Sequence, residues 1–168
     1  MGKKLTVVDD NDNVIGSATR KETKEKKLNW RFAAILIFNS KGEMLIGKRP
    51  GHLRAYPDKW TYPAGGKVDY NESYLEAAKR EMMEEIGVEM DLKKKFEYST
   101  FSSSEGKIFV QVFSGIKEDG FKPNPKEVEE IKWVTKEWLK KDIESNPDNY
   151  TQPFIQGFSS YLKANKKI

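Results

Sequence analysis

The stretch that decides the reading is Gly66-Lys67-Val68-Asp69-Tyr70-Asn71-Glu72-Ser73-Tyr74-Leu75-Glu76-Ala77-Ala78-Lys79-Arg80-Glu81-Met82-Met83-Glu84-Glu85-Ile86-Gly87-Val88. It opens on bare backbone at Gly65 and Gly66 and runs into a segment of helical periodicity. Leu75, Ala78, Met82 and Ile86 recur at three- and four-residue spacing, which predicts a helix over 72–86 with Asn71 as its N-cap and Gly87 as its stop. Glu81, Glu84 and Glu85 then stand at i, i+3 and i+4 and share one face. Three anions that close repel one another, and a helix gains nothing by this unless a cation sits among them. Carboxylate oxygens suit Mg²⁺, with Mn²⁺ as a substitute. With no Cβ at Gly65 or Gly66 to block approach, a backbone carbonyl there could complete the shell. The bland alternative for each carboxylate is a solvated helix face.

The charge around this stretch is uneven. Residues 31–67 hold seven basic residues (Arg31, Lys41, Lys48, Arg49, Arg54, Lys59, Lys67) against Glu43 and Asp58, whereas 68–91 hold eight acidic residues against Lys79 and Arg80. A basic segment beside an acidic one could hold a phosphate ligand and a divalent cation together; two faces that attract each other are the structural alternative.

Further out, residues 5–8 and 14–19 read as a hairpin around the turn cluster Asp9-Asp10-Asn11-Asp12-Asn13. Residues 20–27 read as an exposed connection or short helix. The continuous apolar run 32–38 predicts a buried strand, 43–48 the next one, and 50–63 a long loop. Strands are expected over 96–102, 107–116 and 127–134, and helices over 135–144, capped by Thr135, and 151–163. The order suggests one α/β domain, 1–168, whose mixed sheet carries helices, with residues 1–30 as an N-terminal hairpin extension.

Composition removes whole classes of chemistry. The 168-residue chain has no cysteine and one histidine, so thiolate sites, cysteine nucleophiles and histidine zinc clusters are excluded. No apolar run approaches a membrane span and no secretory signal follows Met1-Gly2-Lys3-Lys4-Leu5, so the expected setting is cytoplasmic. The formal net charge of +4 is no argument for nucleic acid, and the clusters Lys93-Lys94-Lys95 and Lys166-Lys167 read as solvated.

The stretch 66–88 resembles the Nudix box: glycine, five residues, Glu, seven residues, Arg-Glu, aliphatic, any residue, Glu-Glu, any residue, Gly, aliphatic. Gly66, Glu72, Arg80, Glu81, Met82, Glu84, Glu85, Gly87 and Val88 meet every fixed position. The resemblance implies the Nudix fold, a mixed β-sheet sandwiched between α-helices. It implies that Glu84 and Glu85 bind the metal, that Glu81 is the general base or a further ligand, and that Arg80 orients a glutamate. Glu72 would support the loop, and the carbonyl of Gly66 or Gly65 would be a ligand. The hairpin, Gly47-Lys48-Arg49, Tyr56-Pro57-Asp58-Lys59-Trp60 and Trp133-Val134 look like the branch containing isopentenyl-diphosphate isomerase and its hydrolase-like relatives. Isomerase chemistry needs a cysteine in 61–69, and none is there.

The implied activity is Mg²⁺-dependent hydrolysis of the diphosphate bond in a nucleoside diphosphate linked to another group, or in a related organic diphosphate. A Nudix-fold binding module without turnover is the competing reading, but such modules usually lose box carboxylates. Arg49 and Lys48 are the candidate phosphate clamp, and strand alternation puts only one of them in the site, Arg49 by preference. Trp60, with Tyr56 and Tyr62, could stack a base. His52 reads as a loop residue. Glu127 is preferred over Glu129 and Glu130 as a carboxylate outside the box. The expected partner is a small-molecule diphosphate, and a homodimer is compatible with the sequence.

Overall fold

The computed structural model describes residues 2–101 and 103–165; the Lys166-Lys167 cluster lies outside them. The fold is built around β3 (Asn29–Phe38), whose apolar run is buried on both faces of a sheet. Along one edge it pairs with β1 (Lys4–Val8), β6 (Ala64–Lys67) and the start of β4 (Met44–Lys48), all antiparallel. Along the other it runs parallel to β8 (Lys107–Ile116) over nine paired positions, from Trp30 opposite Ile108 to Phe38 opposite Ile116. β7 (Lys93–Phe101) pairs outside β8, and β2 (Val14–Thr19) outside β1. β4 also carries β5 (Trp60–Thr61) and β9 (Glu130–Val134).

Strand alternation sorts the core into two layers. Ala33, Ile35 and Ile37 face α2 (Tyr74–Ile86), which buries Tyr74, Ala77, Ala78, Met82 and Ile86 against them. Ala34 and Leu36 face α4 (Gln152–Asn165), which contributes Phe154, Phe158 and Tyr161, with Leu139 from α3 (Lys136–Ser145). Helices therefore cover both faces of a mixed sheet, as the resemblance implies. Met82 and Ile86 are fully buried, each contributing about 1.5–3 kcal/mol through area removed from water.

Several boundaries differ from the sequence reading. The N-cap of α2 is Ser73, not Asn71: the Ser73 hydroxyl accepts the Glu76 N–H while Glu76 accepts the Ser73 N–H, both at 3.1 Å. Asn71 sits in the preceding turn at φ +69°, a conformation asparagine tolerates. Residues 64–67, ahead of the helix, form a strand, because β3 offers them a partner. The expected strand 127–134 starts only at Glu130, since the Glu127 and Val128 amides both bond to the Asn124 carbonyl in a turn. Residues 20–25 form α1 (Arg20–Glu25), closed by a capping box between Thr19 and Glu22.

Candidate active site

The site grows from the contact between β6 and α2. The Gly65 amide points to Glu85 Oε1 at 3.3 Å, and the Val68 amide bonds back to Arg31 in β3. Peptide groups alternate along a strand. The Gly65 and Lys67 carbonyls therefore lie on the free edge of β6, and Lys67 indeed accepts from Arg80 Nη2 at 3.1 Å. Gly66 turns its peptide toward β3. Of the two candidate carbonyls, that of Gly65 is the one left facing α2. Gly66 acts by what it lacks: a Cβ there would collide with the Glu81 carboxyl, which lies directly over it.

Arg80 organises the carboxylates. Its Nε and Nη2 form a fork on Glu72, at 2.7 and 3.1 Å, while Nη1 donates to Glu81 at 2.8 Å and to Glu84 at 3.3 Å. Glu72 also accepts the Asp69 amide at 2.9 Å, and Asp69 Oδ2 is 3.5 Å from Arg80. The guanidinium thus ties the 67–72 turn to the helix and fixes one oxygen of Glu81. Burial tends to raise the Glu72 pKa, but the bonds from Arg80 and the Asp69 amide outweigh it and hold it below the usual value.

Glu81 and Glu85 are close enough that each shifts the titration of the other. Burial first, then the neighbouring Glu81 charge, pushes Glu85 well above the usual carboxylate range; the Gly65 amide opposes this and the Glu127 charge reinforces it. Glu81 is raised by burial, against the pull of Glu85 and Arg80. Glu84 is half exposed beside them. Among the described residues no three acidic groups already close on one point. A buried pair of neighbouring carboxyls, a bare strand edge and a half-exposed third carboxylate are nevertheless a donor set that fits a hard divalent cation.

The last turn of α2 places Glu127. Gly87 ends the helix at φ +65°, and Lys122 and Asn124 amides cap the Ile86 and Glu85 carbonyls at 2.8 Å each. The 122–128 segment is thereby pinned beside Glu85. Glu127 lies in a turn rather than a strand, near enough to Glu85 for its charge to act on that group.

The clamp residues separate as alternation requires. Leu45 faces α2 and Ile46 faces α4, so Arg49 continues the α2 side and Lys48 the other. Lys48 lies 3.5 Å from Glu129. Arg49 Nε donates to the Ala55 carbonyl at 2.8 Å, which holds the 50–58 loop. Trp60 pairs with Lys48 and shares its face, with Lys132 Nζ 4.3 Å over its ring. The structure therefore puts Trp60 on the sheet face away from the box carboxylates. Tyr62 is in the core, bonded to Tyr98 at 3.0 Å. His52 is a loop residue, its Nε2 3.1 Å from the Lys126 carbonyl. Sequence reasoning missed Asp69 and the Lys67 carbonyl as Arg80 partners; no periodicity marks them.

Comparison with known proteins identifies the family. The NUDIX domain model matches residues 28–154. An uncharacterized Nudix hydrolase of Pseudomonas aeruginosa is 30% identical over 157 residues, 94% of this chain and 92% of its own. A prenyl-diphosphate phosphatase of Methanosarcina mazei is 28% identical over 163 residues, 95% of each chain. The crystal structure of a Deinococcus radiodurans protein superposes with a TM-score of 0.81 at 24% identity, covering 94% of this chain and 98% of that one. The chain belongs to the Nudix hydrolase family.

Proposed function

We propose that this protein is a divalent-metal-dependent hydrolase of the diphosphate bond in a small organic diphosphate. The observation that carries the reading is the Arg80-centred array, which ties Glu72, Glu81 and Glu84 together, with Glu85 beside it on the Gly65 amide at the free edge of β6. Glu81, Glu84, Glu85 and the Gly65 carbonyl would hold Mg²⁺. When bound, the ion neutralises phosphate charge and makes water more acidic. Glu81, steadied by Arg80, accepts the proton of the attacking water at a carboxylate oxygen, and Glu127 is the alternative acceptor. Water adds at phosphorus as the P–O bond to the leaving phosphate breaks. Arg49 retains its terminal guanidinium nitrogens for the diphosphate.

A nucleoside substrate loses two of its three candidate platforms: Trp60 is on the wrong sheet face and Tyr62 is buried, which leaves only Tyr56, exposed in the 50–58 loop. The relative acting on a prenyl diphosphate supports a non-nucleotide substrate. Isomerase chemistry lacks its cysteine, and a silent module lacks any lost carboxylate. The test is phosphate and monophosphate release across prenyl diphosphates, sugar diphosphates, nucleotide sugars and nucleoside triphosphates, with Mg²⁺ and with a chelator. Mg²⁺-dependent turnover, highest on a non-nucleotide diphosphate, is expected. No turnover anywhere on the panel counts against the hydrolase, and a clear preference for nucleotides counts against the substrate class.

A further inference from the structure

We propose that the N-terminal hairpin is a dimerisation edge, on which β2 pairs antiparallel with β2 of a second copy across a two-fold axis. The two outer strands of the sheet differ in how their open edges are protected. β7 pairs only with β8 among the described residues, begins with exposed Lys93, Lys94 and Lys95, and is bulged near Lys95. Lysines and bulges are the usual devices that stop an edge from pairing with another chain. β2, Val-Ile-Gly-Ser-Ala-Thr, pairs only with β1 among the described residues and carries no charge and no proline. Val14 and Ile15 leave 53% and 65% of their surfaces in solvent, and a Cβ at Gly16 would meet nothing. β2 has its own irregularity at Ile15, but Gly16–Thr19 runs in regular register beyond it.

The charges flanking β2 select the occupant. The turn before it holds Asp9, Asp10 and Asp12, of which Asp12 is paired with Arg31 at 2.7 Å; α1 and the two residues after it (20–27) hold Arg20, Lys21, Lys24, Lys26 and Lys27 against Glu22 and Glu25, a net +3. In an antiparallel pair about a two-fold axis, the start of each strand lies beside the end of the other. The acidic turn of one copy then meets the basic helix of the second copy, twice by symmetry. A parallel pair would place like charges together. The acidic, neutral, basic order along the strip is therefore complementary to itself in one orientation.

Sedimentation across a concentration series tests this, with circular dichroism as the check on folding. The wild type should dimerise. Ile15→Lys, a change at an exposed position that copies the protection of β7, should weaken the dimer at least about tenfold. Asp10→Lys should weaken it, and Asp10→Lys with Lys21→Asp should restore it, because both cross-copy pairs re-form with their signs exchanged. Diphosphate hydrolysis by the folded variants should be unchanged, since none of these residues is in the site. A wild type that stays monomeric, a dimer indifferent to Ile15→Lys, or a double variant no better than Asp10→Lys alone would each overturn the proposal without touching the assignment of the active site.

Discussion

Arg80→Lys keeps the positive charge and removes the planar fork. In the structure the guanidinium serves Glu72 through two bonds, Glu81 and Glu84 through Nη1, and the Lys67 carbonyl through Nη2. An ammonium has three donors around one nitrogen and cannot span partners that the fork holds apart. An exposed i,i+4 pair with Glu84 alone would contribute only about 0.3–0.5 kcal/mol. That pair, at 3.3 Å, is longer than those with the largely buried Glu72 and Glu81, at 2.7 and 2.8 Å. Charge-assisted bonds contribute about 1.5–3 kcal/mol each when fully buried. Arg80 keeps some solvent contact and lysine recovers part of the interaction, so a stability loss of about 1–2 kcal/mol is expected. In a chain of this size that corresponds to a melting-temperature drop of about 3–6 °C. Loss of the bond that fixes Glu81 should lower kcat/KM at least about tenfold, or about 1.4 kcal/mol of transition-state stabilisation. Steady-state kinetics on the best diphosphate of the panel, paired with thermal melts, measures both. A folded Arg80→Lys variant with unchanged kcat/KM and unchanged melting temperature refutes the role given to the arginine.

Two further perturbations separate the site from the scaffold. Gly66→Ala puts a methyl where the Glu81 carboxyl now lies; that carboxyl is the far end of a flexible side chain and can move aside, so activity should fall about a hundredfold while the melting temperature changes little, as kinetics and melts would show. Glu72→Gln should destabilise the metal-free protein in a pH-dependent way: the folded pKa of Glu72 is depressed, so its contribution is present above the ordinary value of 4.5 and is lost as pH falls through the lower folded value. Urea unfolding of both proteins at pH 7 and in the acid range should show a gap at neutrality that closes in acid.

The box was the most legible part of the chain because its requirements are local. Gly66 must lack a Cβ, Arg80 must reach carboxylates near it on the helix, and Gly87 must adopt positive φ, so residue identity and spacing carry the information. The central strand was legible because a seven-residue apolar run, 32–38, has few homes other than a strand covered on both faces. What failed depended on pairing. Residues 64–67 become a strand only because β3 is beside them, and Glu127 lies in a turn closed by Asn124 rather than on a strand. Trp60 was misplaced because two residues of strand against Lys48 decide its face, and a long loop rich in Gly, Pro and aromatics hides so short a pairing. The N-cap was missed by two residues because Asn71 and Ser73 both have capping chemistry. The Ser73–Glu76 spacing of a capping box, visible in the sequence, was the signal that distinguished them.

The face bearing Glu81, Glu84 and Glu85 is proposed as a divalent-cation site. Calorimetric titration of Mg²⁺ into the wild type and into Glu85→Gln tests it without reference to any substrate. The substitution keeps the shape of the side chain and removes one anion from a crowded group, so the fold should persist, with unchanged or slightly higher stability in the absence of metal. The account predicts saturable binding by the wild type and at least about tenfold weaker binding by the variant. Superimposable titration curves for the two folded proteins would contradict it.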